Sequence, residues 1–408
     1  ASNPSAADAR AAWVVVLAGV SAALHMAKLM PALPLVQRDL GLTLVQAGFL
    51  LSTWQVAGML LGLVMGLAAD RMGAKRSMLA GFAVLFMSSA LVEYAQTATF
   101  LIAFRAAEGF GFLLVVTPAP GLIRRLVPPS RVDAMMGVWG SYMPLATALA
   151  LLLGPFVMQG VYWRLWWWLL AGVSLFLALA VWRWVPPDPA RQGAAATASI
   201  ARRTAQTLSR PGPWLVALAF AVYSSQWGAV IGFLPTIYAA AQVATGTAAV
   251  LTSLAAAANI AGNVMAGRLL AAGWRPHRLL WGGYGAMGLA AALAFANLPL
   301  ALPAPLDAAM RYGAILAFSA VGGIIPGTLF SLAVRLAPNE GTVSTTVGWM
   351  QQWSSIGQFA GPPIVAWMAS RMGGWQWTWV ATGACSVVGL ALAAAIARQR
   401  TAGKPVEV

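Results

Sequence analysis

Stretches of about twenty apolar residues recur along this chain, each closed by glycine, proline or a cluster of charge. A run of that length crosses the roughly 30 Å hydrocarbon layer of a bilayer as a helix rising 1.5 Å per residue. The pattern predicts twelve helices, near 13–36, 44–68, 77–97, 99–126, 131–159, 162–185, 214–241, 245–272, 277–297, 305–337, 341–370 and 375–398. The charged string Gly66 to Arg76, GLAADRMGAKR, falls between the second and third runs and reads as a short loop at one membrane face. The longest polar stretch, 186–213, carries Arg191, Arg202, Arg203 and Arg210 with prolines at both ends. It reads as a linker between an N-terminal six-helix bundle, 1–185, and a C-terminal one, 214–408.

The halves align weakly on each other. Leu33-Pro34 falls on Leu234-Pro235 and Gly66 on Gly267; with small drifts, Arg105 meets Arg311, and Arg125-Leu-Val-Pro128 meets Arg335-Leu-Ala-Pro338. The sixth and twelfth runs both open on tryptophans, Trp163 with Trp166 to Trp168 and Trp375 with Trp377 and Trp379. Two parallel repeats of six helices are a transporter architecture.

Composition narrows the class. Hydrophobic residues make up 60% of the chain and charged ones 9%, which leaves no room for a sizeable soluble domain. A net charge of +15 would suggest nucleic acid in a soluble protein. Here the basic residues sit in short loops, the pattern that orients a membrane protein, so no nucleic-acid partner is expected. Placing both termini in the cytoplasm puts most of the 25 Lys and Arg on that side, in an inner membrane. Cys385 is the only cysteine, and His25 and His277 are far apart, so neither a disulfide framework nor a metal site is expected. The first ten residues lack the features of a cleaved signal, so the first run is expected to direct insertion. There is no GxxxxGK[ST] phosphate loop for an ATP-driven pump, no cofactor motif, and no cluster of His, Asp or Glu for an enzyme.

At this point the chain resembles the major facilitator superfamily over essentially its whole length. GLAADRMGAKR matches that family's loop between helices two and three at Gly66, Asp70, Arg71, Gly73, Lys75 and Arg76. The resemblance implies a cytoplasmic gate there, with Gly66 admitting a close helix and Asp70 facing a helix N-terminus. The second half keeps Gly267, Arg268 and Arg278 but has no acid matching Asp70. Phe104-Arg105-Ala-Ala-Glu108-Gly109 resembles the family's fourth-helix arginine motif, and Gly154-Pro155 resembles the end of its antiporter motif. Gly137-Val138-Trp139, Phe233-Leu234-Pro235-Thr236-Ile237-Tyr238 and Met350-Gln351 resemble the cyanate and 2-nitroimidazole porter branch. Where that branch has arginine then proline in the first helix, this chain has Ala27-Lys28, with proline at Pro31.

Charged groups in a bilayer core cost roughly 3 kcal/mol, so they face a cavity or a partner. Ser21, His25 and Lys28 recur at helical spacing on one face. That face is expected to line a wet cavity; the bland alternatives are a snorkelling Lys28 and a buried, hydrogen-bonded His25. Gln55, Tyr142, Gln226, Asn259, Gln351 and Ser355 complete the expected substrate pocket, and interhelical hydrogen bonding is the alternative for each. Arg105 and Glu108, three apart, can pair; they are the candidates for proton coupling, or else a static strut. The sequence therefore predicts an all-α membrane protein of twelve transmembrane helices in two pseudo-symmetric bundles. It is read as a monomeric, proton-coupled secondary transporter of a small anionic solute. The alternative is a proton-driven exporter of amphipathic drugs or metabolites.

Overall fold

The structure, a computed structural model, describes residues 6–42, 44–158, 162–188, 200–299 and 302–402. Among the described residues, ten helical segments are long and apolar enough to cross a membrane. Two more, Pro276–Phe295 and Val343–Met372, are long enough but less apolar, which completes twelve. Their lower hydropathy has different causes. Pro276–Phe295 is rich in glycine, and a Cβ on Gly283 would stand 2.7 Å from Ile325. Val343–Met372 instead carries Gln351, Gln352, Ser354, Ser355 and Gln358.

The same neighbours recur in both halves. The third span, Ala74–Ala90, packs on the fourth and sixth, Ala98–Leu126 and Arg164–Trp184; the ninth, Pro276–Phe295, packs on the tenth and twelfth, Ala304–Leu336 and Thr378–Ala402. The first packs on the fifth and sixth, and the seventh, Pro211–Ala240, on the eleventh and twelfth. Two seams then join the bundles: the second span, Leu44–Met72, against the eleventh, and the fifth, from Val132 to Val157, against the eighth, Thr245–Ala271. One seam is the repeat image of the other. Large apolar side chains such as Phe176, Leu289 and Val387 are about two-thirds exposed. Patches of that kind on a folded chain are the lipid-facing surface of a membrane protein.

Part of the expected linker, 189–199, lies outside the described residues. Within the rest the structure adds a short helix, Ile200–Leu208, which the irregular reading of 186–213 did not foresee. The first span is bent. It runs Ala6–Ala27, and a second helical segment begins at Leu29. Pro31 has no N–H to give the preceding turn, so carbonyls near Lys28 need other donors.

Candidate functional site

Between the bundles lies a cavity of about 800 Å³. It is walled by Met26, Met30, Leu33, Gln55, Met143 and Thr147 from the first half and by Trp227, Ile231, Phe233, Pro235, Thr252 and Phe359 from the second. Leu33, Pro235 and Pro362 mark its wide end, remote from the Gly66–Arg76 loop. The narrow end passes Trp54, Met143, Trp227 and Gln358 into a chamber of about 50 Å³. Aromatic rings frame this chamber. Trp54 and Phe112 meet edge to face at 5.9 Å, Tyr142 lies 6.2 Å from Phe330, and Phe330 lies 5.6 Å from Phe220. Trp139 stacks behind Tyr142 at 4.7 Å.

The chamber's polar groups are neutral. Gln351 Nε2 donates to Tyr142 Oη at 2.9 Å across the two bundles. Gln55 Nε2 donates to Gln358 Oε1 at 3.2 Å, also across them. Asn259 Nδ2 donates to Tyr223 Oη at 3.0 Å and to the Ser319 carbonyl at 2.8 Å. Among the described residues no charged side chain lines either cavity, and no three His, Cys, Asp or Glu side chains stand close enough to hold a metal ion.

The charges sit one wall behind, inside the N-terminal bundle. Lys28 Nζ pairs with Glu108 Oε1 and also donates to Ser89 Oγ at 2.7 Å and to His25 Nδ1 at 3.2 Å. An ammonium has three protons, and these are three acceptors. Ser89 passes its own proton to Glu108 Oε1 at 2.9 Å. Arg105 donates to Glu108 Oε2 at 2.7 Å and to the His25 and Met26 carbonyls at 2.5 and 3.1 Å. Trp166 Nε1 donates to the Lys28 carbonyl at 3.2 Å. Arg105 and Trp166 thus satisfy backbone at the bend of the first span. The Trp167 ring lies 4.7 Å from Lys28 Nζ. Lys28, His25 and Glu108 are fully buried.

The predicted site residues therefore separate. Gln55, Tyr142, Asn259, Gln351 and Ser355 line the cavities. Ser21, His25 and Lys28 do not: their face turns to the third, fourth and sixth spans, where Glu108, Ser89 and Ser174 satisfy them. Lys28 does not snorkel, because the carboxylate holds it inward. Their neighbours on the same helix, Met26 and Ala27, form the wall instead. Gln226 also turns away, accepting from Ser386 Oγ of the twelfth span at 3.2 Å. Sequence reading missed the aromatic frame. Tyr223 and Trp227, one helical turn apart in the seventh span, and Trp54 beside Gln55 were the available signals.

On the loop side, hydrogen bonds and ion pairs join the two bundles. Asp70 accepts from the Ser344 and Thr345 backbone N–H groups at 3.2 and 2.7 Å, and from the Thr345 hydroxyl. A carboxylate at the first turn of the eleventh span meets the positive end of its dipole. A Cβ on Gly66 would stand 2.5 Å from the Ser344 carbonyl oxygen, so that contact requires glycine. Beside the other seam, Asp133 of the fifth span pairs with Arg335 and accepts from Ser331, both of the tenth span. Arg124 pairs with Glu340 nearby. Lys75 donates to the Trp182 carbonyl at 2.8 Å and to that of Val185 at 2.5 Å. Asp188 accepts from the Lys75 and Arg76 backbone at 3.1 and 3.2 Å. Gly73, at φ +99°, makes the turn, and a Cβ there would strike Asp188. Arg71 ends the second span at this loop.

Residues 15–356 match the family described as Major Facilitator Superfamily. Among curated proteins, the 2-nitroimidazole transporter of Escherichia coli is 28% identical over 51% of this chain and 52% of its own length. The tetracenomycin C resistance and export protein of Streptomyces glaucescens is 25% identical over 32% and 24%. The chain thus spans about half the length of one of these relatives and about a quarter of the other. By structure it is similar to FucP in an outward conformation, with TM-score 0.76 and 17% identity over 95% of this chain and 97% of that one. It is equally similar to the human organic anion transporter MFSD10, with TM-score 0.76 and 15% identity over 95% and 99%. Twelve helices in two repeat-related bundles, a cavity shared between them and a family match across most of the length lead to one conclusion: the chain belongs to the Major Facilitator Superfamily, a family of integral membrane transporters and not of enzymes.

Proposed function

We propose that the protein is a proton-coupled secondary transporter moving a small, flat, anionic solute by alternating access. The carrying observation is the aromatic chamber whose Tyr142–Gln351 and Gln55–Gln358 contacts each take one partner from each bundle. A solute that replaces those contacts favours one bundle arrangement over the other, which is what coupling binding to movement requires. Rings suit a flat guest, and amide and hydroxyl groups suit its polar edge. Lys28 and Arg105 outnumber Glu108 behind the Met26–Ala27 wall, and a buried positive excess favours negative charge in the chamber. Ser21, His25 and Gln226 tie helices within each bundle and make no contact with the solute.

Glu108, Arg105 and Lys28 form the proton-coupling group. The bundles 1–185 and 214–408 rock about the cavity, with 186–213 as their tether. Gly66, Asp70, Arg71, Gly73 and Arg76 form the gate on the cytoplasmic side, where both termini lie, and the protein works as a monomer in a bacterial inner membrane. The wide end of the cavity then faces outward.

Thermal shift in detergent followed by counterflow in proteoliposomes tests this with 2-nitroimidazole, cyanate, nitrate and small carboxylates. At least one stabilises the protein and exchanges, and Tyr142→Phe weakens it about five- to tenfold, the loss of one hydrogen bond. Stabilisation by lipophilic cations alone overturns the reading. It would favour a proton-driven exporter of amphipathic compounds, which the apolar vestibule of Met26, Met30, Met143, Phe233 and Phe359 also suits and which the export protein of Streptomyces glaucescens is named for.

A further inference from the structure

The first and sixth spans are tied by His25 Nε2 to Ser174 Oγ at 2.7 Å, and the seventh and twelfth by Gln226 Oε1 to Ser386 Oγ at 3.2 Å. These ties are repeat images. The alignment that sets Leu33-Pro34 on Leu234-Pro235 sets His25 on Gln226, and the one that sets Trp163 on Trp375 sets Ser174 on Ser386. In the second half an amide suffices to hold the helices together. An imidazole in the same place adds one capacity, which is to accept a proton at one nitrogen while releasing one from the other.

Its surroundings are built for that. Lys28 Nζ, which can only donate, faces Nδ1 at 3.2 Å, so the neutral ring carries its hydrogen on Nε2 and gives it to Ser174. Ser89 Oγ stands 3.0 Å from Nδ1. The other charged groups about the ring are Glu108 of the fourth span, 3.7 Å from Nδ1, and Arg105 on the His25 carbonyl. Ser174 continues to Ser21 Oγ at 3.5 Å. Direction is fixed by the helix ends. Arg10 lies 5.5 Å from the Trp184 ring, and Lys75 holds the nearby Val185 carbonyl, so the first span starts on the loop side. Ser21 is therefore nearer that side than His25, and Lys28 is nearer the open cavity.

We infer that His25 relays the coupling proton between Lys28 and the loop side, along a path inside the N-terminal bundle and separate from the solute cavity. The Lys28 Nζ–H bond breaks and a His25 Nδ1–H bond forms, leaving a neutral amine and an imidazolium with the charge of the group unchanged. The Nε2 proton then passes to Ser174 Oγ as that hydroxyl gives its own proton to water admitted when the loop side opens. The neutral Lys28 amine then takes a proton from water on the open-cavity side, and a rotation of the ring turns its remaining N–H toward Ser174 again.

This inference rests on the proton-coupled reading, and its test separates the two. His25→Gln installs the residue of the second half and keeps the tie to Ser174. The variant is expected to melt like the wild type and to retain counterflow of 2-nitroimidazole, while its proton-driven accumulation falls about tenfold or more. Ser174→Ala, which keeps the imidazole, gives the same split and serves if His25→Gln fails to fold. Accumulation at the wild-type level in either variant overturns the relay, as does an equal loss of counterflow and accumulation in a folded variant.

A second readout needs no solute. In ¹⁵N-imidazole spectra, with the His25 signal identified by its absence in His25→Gln, the relay predicts that Nε2–H exchanges with deuterium faster than the amides of its own helical turn. It also predicts that Ser174→Ala slows this exchange. Slow exchange in the wild type marks a static tie and overturns the relay. Absence of wild-type counterflow for every solute tested sinks the proposed function instead, and the exchange measurement still decides on His25.

Discussion

The two bundles share one helix arrangement but fill it with different chemistry. The N-terminal bundle buries two cations, one carboxylate and an imidazole around a bent first span. The C-terminal bundle has Gln226 and Ser386 in the corresponding place. Arg311, the repeat mate of Arg105, stays near the rim, paired with Asp307 and capping the Ala294 and Ala296 carbonyls. Duplicated helices need the same packing and the same interhelical ties. Only one copy needs charge. The difference separates the ties that both copies share from the charge that one copy carries, and the loop-side contacts differ in the same way. The two seams are repeat images in backbone, yet Asp70 meets the N-terminus of the eleventh span in one, while beside the other Asp133 of the fifth span meets Arg335 of the tenth.

The largest effect that can break this comparison lies at Glu108. Replacing it by Gln strands two buried cations, so Glu108→Gln should lose about 3–5 kcal/mol of stability and all proton-driven uptake. Adding Lys28→Met should recover part of the stability, because one stranded charge is then gone; unfolding in detergent measures both. If the double variant is as unstable as the sum of the single ones, Lys28 and Glu108 do not act as a pair.

A smaller effect is expected at the neutral copy. Gln226→Leu removes one interhelical hydrogen bond and should cost about 0.6 kcal/mol, in line with such bonds in membrane proteins, with the pH dependence of uptake unchanged. A shifted pH profile in that variant would mean that the proposed proton coupling is not confined to the first bundle.

The smallest effect lies at the rim, where Arg164 and Trp163 bond to Asp39 at 2.8 Å each. The hydrogen bond from Trp163, with the Arg164 guanidinium, holds the Asp39 carboxyl below its usual 3.8 against the opposing effect of partial burial. A carboxylate lowered in the folded state stabilises it above the unfolded value, and that contribution disappears as pH falls through the lowered one. Asp39→Asn should therefore narrow the stability difference between neutral pH and about pH 3, by roughly 0.3 kcal/mol for so exposed a carboxylate. Melting curves at the two pH values check it.

The sequence by itself determined the fold class. Twelve apolar runs leave a chain no option but helices in a bilayer, and the Gly66–Arg76 string and the paired landmarks reveal the duplication. It also determined which polar residues lie at depth, because burial in lipid makes each of them conspicuous. Only the tertiary structure decided which way they face. Helical spacing puts Ser21, His25 and Lys28 on one stripe, but a stripe can turn to a cavity or to neighbouring helices. The choice depends on Glu108 and Ser174, some 80 and 149 positions away from Lys28 and His25 along the chain. Likewise the aromatic frame of Trp54, Phe112, Tyr142, Phe220 and Phe330 is drawn from both bundles. A ring in an apolar run looks the same in sequence whether it meets lipid, core or solute, and only the packing of distant helices distinguishes the three.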